Sequence, residues 1–179
     1  MAKLLVVFYL LVVSSFCAYA TKSDLETVPY VDLERYLGTW YEIARFDQSF
    51  QKGCTGTKAL YEKKANGEIK VTNSCYRNSL NGKYTEATAR AWVVDTNSNA
   101  KLKVQFFLNF MRLPIFAGNY WIIELDEVNY TYAVVGDPSR KYLWILNRTK
   151  VMPEETYEYL LQKISDKGFD TSKLIKTIQ

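Results

Sequence analysis

Between residues 38 and 148 the chain is a succession of short runs in which apolar and polar positions alternate, divided by turn-forming residues. The run 101–107 shows this best: Leu102, Val104 and Phe106 fall on one side, Lys101, Lys103 and Gln105 on the other. A period of two with one apolar face predicts a strand in a single layer, dry on one side and wet on the other. The same reading places strands at 38–46, 55–63, 68–76, 83–94, 119–125, 130–136 and 142–148. Asn66-Gly67 marks a hairpin, Asn81-Gly82 and the polar stretch 95–99 mark the next two turns, and Asp137-Pro138 marks another.

After Arg148 the period changes. Pro153-Glu154-Glu155 opens a segment in which Tyr157, Leu160, Leu161 and Ile164 recur at helical spacing, and Lys167-Gly168 ends it. Residues 174–178 then suggest a short final strand. Eight strands followed by one amphipathic helix predict an all-β fold: an eight-stranded antiparallel up-and-down barrel with the helix packed outside. Such a barrel has room for side chains or one small ligand.

The first twenty residues follow a different logic. Lys3 precedes an unbroken apolar run from Leu4 to Val13, and Ala18-Tyr19-Ala20 fits a small-x-small cleavage site. The run is shorter than the roughly 20 residues of a membrane-spanning helix. Residues 1–20 are therefore read as a cleavable signal peptide and 21–179 as a single domain, secreted or periplasmic. Cys17 keeps a second route open, lipidation and outer-membrane association, although Phe16 precedes it where a small residue is favoured.

Composition removes several functions. The net charge of +4 is mild and its basic residues are scattered, so nucleic acid is not an expected partner. There is no histidine, which excludes Ser-His and Cys-His nucleophile pairs, His-based zinc sites and a His-ligated haem. No catalytic residue, metal ligand or cofactor is nominated. Cys54 and Cys75 lie nearly symmetrically about the Asn66-Gly67 turn and are expected to form one disulfide. Asn129-Tyr130-Thr131 and Asn147-Arg148-Thr149 match the glycosylation pattern and are read as chance matches.

Three blocks carry a family resemblance. The stretch from Asp32 through Gly38-Thr39-Trp40-Tyr41-Glu42 to Arg45, the stretch from Leu125-Asp126 to Tyr132-Ala133, and Tyr142-Leu143-Trp144-Ile145-Leu146-Asn147-Arg148-Thr149 occur in this order. In them the chain resembles the lipocalins, within the bacterial lipocalin and apolipoprotein D group, over nearly all of 30–178. The resemblance implies that Gly38, Trp40 and Arg148 form a structural plug, with the guanidinium across the indole at the closed end. Glu42, two residues on, should face inward as well.

Parity from Trp40 and from the dry face of 101–107 gives an inner wall. Phe46, Tyr61, Val71, Val104, Phe106, Tyr120, Ile122 and Trp144 are its ligand-binding candidates, with Ala44, Ala59, Ile69, Leu102, Ala133, Val135 and Leu146 between them. Segment 107–116 is unusually apolar. It is open to three readings, as a cover over the entrance, a membrane-surface contact or a protomer interface, with Phe50 and Arg112 as entrance residues. The function implied is a carrier of a small hydrophobic ligand such as a fatty acid or lysophospholipid, serving envelope lipid transport or stress response, as monomer or homodimer. Two rivals stand beside it: a lipid-modifying enzyme working through Glu42 and tyrosines, and an interaction protein with a filled barrel.

Overall fold

Nine strands form one antiparallel sheet: β1 (Gly38–Phe46), β2 (Cys54–Lys63), β3 (Ile69–Arg77), β4 (Tyr84–Val93), β5 (Lys101–Gln105), β6 (Gly118–Leu125), β7 (Tyr132–Gly136), β8 (Leu143–Asn147) and β9 (Leu174–Lys176). Neighbours in sequence are neighbours in space from β2 to β8, β8 pairs with β1, and β1 pairs with β2. That last pairing closes the barrel. The computed structural model describes residues 24–106, 108 and 110–179. The expected leader, Cys17, Phe107 and Asn109 lie outside the described residues.

Two apolar clusters lie on opposite sides of the wall. The inner one gathers Trp40, Tyr61, Ile69, Val71, Leu102, Ile122, Ala133, Val135 and Leu146 with Val28 and Val31. The outer one packs Phe46, Ile123, Val134, Leu143 and Ile145 against Tyr157, Leu160 and Ile164 of α2 (Glu154–Asp166) and against Phe169. A helix with one apolar stripe buries it on the one sheet face that carries apolar residues outward. On its other edge β1 also pairs with β9, through Ala44, Arg45 and Phe46.

Bulges decide which residues face inward. On β1, Glu42 pairs with Leu146 but Ala44 pairs with Ile145, so Ile43 is the extra residue. Beyond it the strand's parity is reversed. Ala44 and Phe46, expected on the inner wall, therefore sit in the outer cluster, where the Phe46 and Phe169 rings lie 6.2 Å apart. Arg45 takes the inward place opposite Trp144. A second bulge on β6 makes Ile123, which packs in the outer cluster, the extra residue; beyond it Glu124 forms an ion pair with Lys167 and Leu125 joins the inner cluster.

The closed end is built by the N-terminal segment and a short helix, α1 (Leu33–Tyr36), which periodicity over so few residues did not reveal. Asp32 caps α1, accepting from the amides of Glu34 and Arg35 at 3.0 and 3.3 Å. Val28 N–H donates to the Ile122 carbonyl and Val31 N–H to that of Ser98, so the segment straps the floor where β5 has not yet begun. Ile122 consequently packs into this floor, fully buried.

The Arg148 guanidinium lies 3.8 Å from the centroid of the Trp40 ring. It donates to the carbonyls of Leu37, Thr39, Arg35 and Tyr130 at 2.9, 3.0, 2.6 and 3.2 Å. Gly38 has a φ of +92°, and a side chain there would stand 3.4 Å from the Arg148 guanidinium. Glycine suits both demands. Trp40 is 0 % exposed and donates its indole N–H to the Tyr36 carbonyl at 2.8 Å.

After β5 the described residues of segment 107–116 fold back onto the strand. They turn down over the outer face of β4 and β5, where Gln105 was expected to face water. Gln105 is instead 0 % exposed. Its amide donates to the carbonyls of Leu108 and Met111 at 2.8 and 3.0 Å and accepts from Leu113 N–H at 2.8 Å. Arg112 is not an entrance residue: it lies 5.0 Å from the centroid of the Trp92 ring and 3.0 Å from Glu68. Burial pushes the Glu68 carboxyl up, but hydrogen bonds from Asn66 and Arg112 and the charges of Arg90 and Arg112 hold it below its ordinary value.

Candidate functional site

Above the floor the barrel holds a cavity of about 490 Å³. Six of the eight candidate wall residues line it: Tyr61, Val71, Val104, Phe106, Tyr120 and Trp144. Phe46 and Ile122 do not, for the reasons of bulge and floor just given. Ala59, Val135 and Leu146 complete the apolar wall, and Phe50, Phe116 and Tyr142 stand around the opening. Phe50 is more than half exposed there, as its expected place at the entrance requires.

A second hollow of about 440 Å³ adjoins the first and shares Phe50, Gln51, Thr57, Asn73 and Phe106 with it. Cys54 and Cys75 line this second hollow and form a disulfide between β2 and β3, with Cα atoms 5.4 Å apart. The bond ties the two strands together at the open end.

The bottom of the cavity is phenolic. Tyr120 exchanges hydrogen bonds of 2.8 Å with the hydroxyls of both Tyr36 and Tyr61. Burial pushes the Tyr61 phenol up to about 12 and those of Tyr36 and Tyr120 well above their ordinary value. All three stay protonated and serve as neutral hydrogen-bonding groups.

One wall is polar. Glu42, only 3 % exposed, accepts from Thr177 Oγ1 at 2.6 Å and from Gln51 Nε2 at 2.7 Å. Arg45 Nε stands 3.6 Å from the same carboxylate. Burial raises the Glu42 carboxyl above its ordinary value, and the bonds from Thr177 and Gln51 and the Arg45 charge offset only part of this. Gln51 also accepts from Trp144 Nε1 at 3.0 Å, so the turn Ser49–Gln51 is fastened to two sides of the opening.

Thr57 and Asn73 line the cavity too. Asn73 lies on the inward parity of β3 with Ile69 and Val71, a signal present in the sequence. Thr57 shares the inward parity of β2 with Ala59 and Tyr61, so the sequence signals it too, whereas Gln51 stands on a turn, where alternation carries no information. At the rim, Asn119 donates to Asp137 at 3.4 Å. Among the described residues no group of three or more Cys, Asp or Glu side chains is placed to hold a metal ion.

A closed eight-stranded barrel, shut at one end by a Trp–Arg pair and hollow at the other, defines a class of ligand-holding proteins. Residues 31–179 match the family model described as a lipocalin-like domain, and the chain belongs to the lipocalin family. It is 42% identical over 161 residues to temperature-induced lipocalin-1 of Arabidopsis thaliana, covering 88% of this chain and 84% of the relative. It is 40% identical over 144 residues to the outer membrane lipoprotein Blc of Escherichia coli K12, covering 80% and 77%. Among solved structures, insecticyanin from the tobacco hornworm Manduca sexta superposes with a TM-score of 0.69 at 22% identity, covering 88% of this chain and 85% of that one.

Proposed function

We propose that this lipocalin is a lipid carrier that holds the chain of a fatty acid, lysophospholipid or similar single-chain amphiphile in its barrel. The observation that carries the reading is the hollow itself: about 490 Å³, apolar along Val71, Val104, Val135 and Leu146, over a closed floor. That volume falls within the roughly 300–1,000 Å³ usual for small-molecule sites. Burial of an acyl chain there is driven by about 25 cal/mol per Å² of apolar surface, before ordering costs. Nothing in the cavity favours catalysis in its place, since Glu42 is held between Thr177 and Gln51 and the phenols are bonded to one another.

The proposed site of action is the cell envelope or the space outside the cell, reached by removal of residues 1–20 and followed by the single domain 21–179. The exposed edge beside the opening supports contact with a lipid surface. Ile115 is 85 % and Phe110 69 % exposed, and Phe116 lines the cavity itself. Sedimentation with lipid vesicles checks this part, and Phe110→Ser with Ile115→Ser is expected to reduce it.

Native mass spectrometry of gently purified protein tests the carrier reading. A retained mass of one lipid, released by organic extraction, is the expected result. A clean apo mass together with no uptake of added lipid overturns it.

A further inference from the structure

The lining of the cavity is unbalanced in charge and in hydrogen-bonding sense. Glu42 and Asp137 both line it, and Lys58, the one basic residue among the described lining residues, belongs to the solvent-exposed alternation of β2. Asp137 is engaged at the rim by Asn119 and Ser139. Glu42 is not saturated: an ionised carboxylate offers about four acceptor positions, and two are used.

Two more polar atoms share that wall. Thr57 Oγ1 and Asn73 Oδ1 are buried and have no hydrogen-bond partner among the described residues. Thr57 as a whole is 5 % exposed. Buried polar atoms are almost always paired, so orphans that line a cavity point to groups supplied by its occupant. Glu42 and Asn73 Oδ1 can only accept. Nearby, the rings of Tyr142 and Trp144 stack with planes 11° apart and both line the cavity. Aromatic faces attract cations.

From this we propose that Glu42, Thr57 and Asn73 form a head-group subsite for an amphiphile whose head donates hydrogen bonds. The class that fits is a single-chain lipid with a primary ammonium, with or without a neighbouring hydroxyl. A fatty carboxylate is disfavoured, because two carboxylates sharing one buried site cannot both stay ionised without cost. Arg45, the nearest cation, has its guanidinium beside Glu42 and donates to the Gln51 carbonyl at 3.1 Å, and it is not among the lining residues. The inference rests on the carrier reading and specifies which end of the lipid the wall recognises.

Displacement of the neutral fluorophore N-phenyl-1-naphthylamine tests it, with three ligands of one chain length: dodecylammonium, dodecanoate and methyl dodecanoate, at pH 7.5. Dodecylammonium is expected to displace the probe at a concentration at least tenfold below dodecanoate. That ratio, taken on the same protein, should fall at least fivefold in Glu42→Gln and at least twofold in each of Thr57→Val and Asn73→Leu. Using ratios within each variant separates head-group choice from any loss of folded protein. Equal or tighter binding of dodecanoate would assign the head-group choice to Arg45 and overturn the proposal, as would a ratio unmoved in all three variants. If methyl dodecanoate also fails to displace the probe, the carrier reading fails with it; if only the ammonium preference is missing, the subsite alone falls.

Discussion

Arg148 bonds four main-chain carbonyls while lying over Trp40. The planar fork of guanidinium suits this; an ammonium on a flexible stem does not. Arg148→Met keeps the volume and leaves those carbonyls without their donor, at a cost of about 2–5 kcal/mol in urea denaturation. Glu42 acts in the opposite sense. Its carboxyl is raised in the folded protein, so the folded state binds more protons than the unfolded one above the ordinary carboxylate range. The contribution of Glu42 to stability is therefore full below that range and declines as pH rises from about 4.5 through the raised value. Glu42→Gln keeps the shape and removes the titration. Between pH 4 and pH 8 the stability of the wild type relative to Glu42→Gln, read from denaturation curves, should fall as pH rises; a constant difference would show that Glu42 is not held up by burial.

Among the elements, β1 does two jobs in nine residues. Its first half presents Trp40 and Glu42 to the interior, and after the bulge at Ile43 its second half presents Ala44 and Phe46 to α2 and Phe169. Phe46→Ala should therefore cost about 3–5 kcal/mol of stability through the outer cluster. It should leave lipid affinity within twofold, measured by probe displacement; a large loss of affinity would place Phe46 back on the inner wall. The barrel, the order of its strands, α2 and the Cys54–Cys75 bond were all legible in the sequence, because each rests on local period, turn chemistry or the spacing of one residue type. Most of the wall was legible for the same reason. Phe46 was misplaced because an extra residue reverses parity without changing composition. Gln105 was misplaced because a polar side chain on a strand's outer face reads as solvated, whereas here a returning loop covers it and consumes its hydrogen bonds. Arg112 was misplaced because that loop carries it to Glu68 and Trp92. Gln51 was silent because it stands on a turn, where position is set by tertiary contacts alone.

At the scale of the molecule, the barrel is asymmetric along its axis. The N-terminal strap, α1 and the Trp40–Arg148 pair fill one end, and the phenols of Tyr36, Tyr61 and Tyr120 separate that floor from the hollow. The proposed ligand therefore belongs at the other end, between the fastened turn Ser49–Gln51 and the opening around Phe116. The rim is held by a disulfide and by hydrogen bonds from the turn, so the cup is largely formed before its ligand arrives. Preorganisation of this kind lowers the ordering cost of binding. Calorimetric titration of the delipidated protein with a single-chain lipid, set beside the barrel-filling variant Val104→Trp, measures the central claim. One-to-one binding with a negative heat-capacity change, lost in Val104→Trp while the variant remains folded by circular dichroism, is the predicted result. No binding by the wild type, or equal binding by the filled barrel, would contradict it.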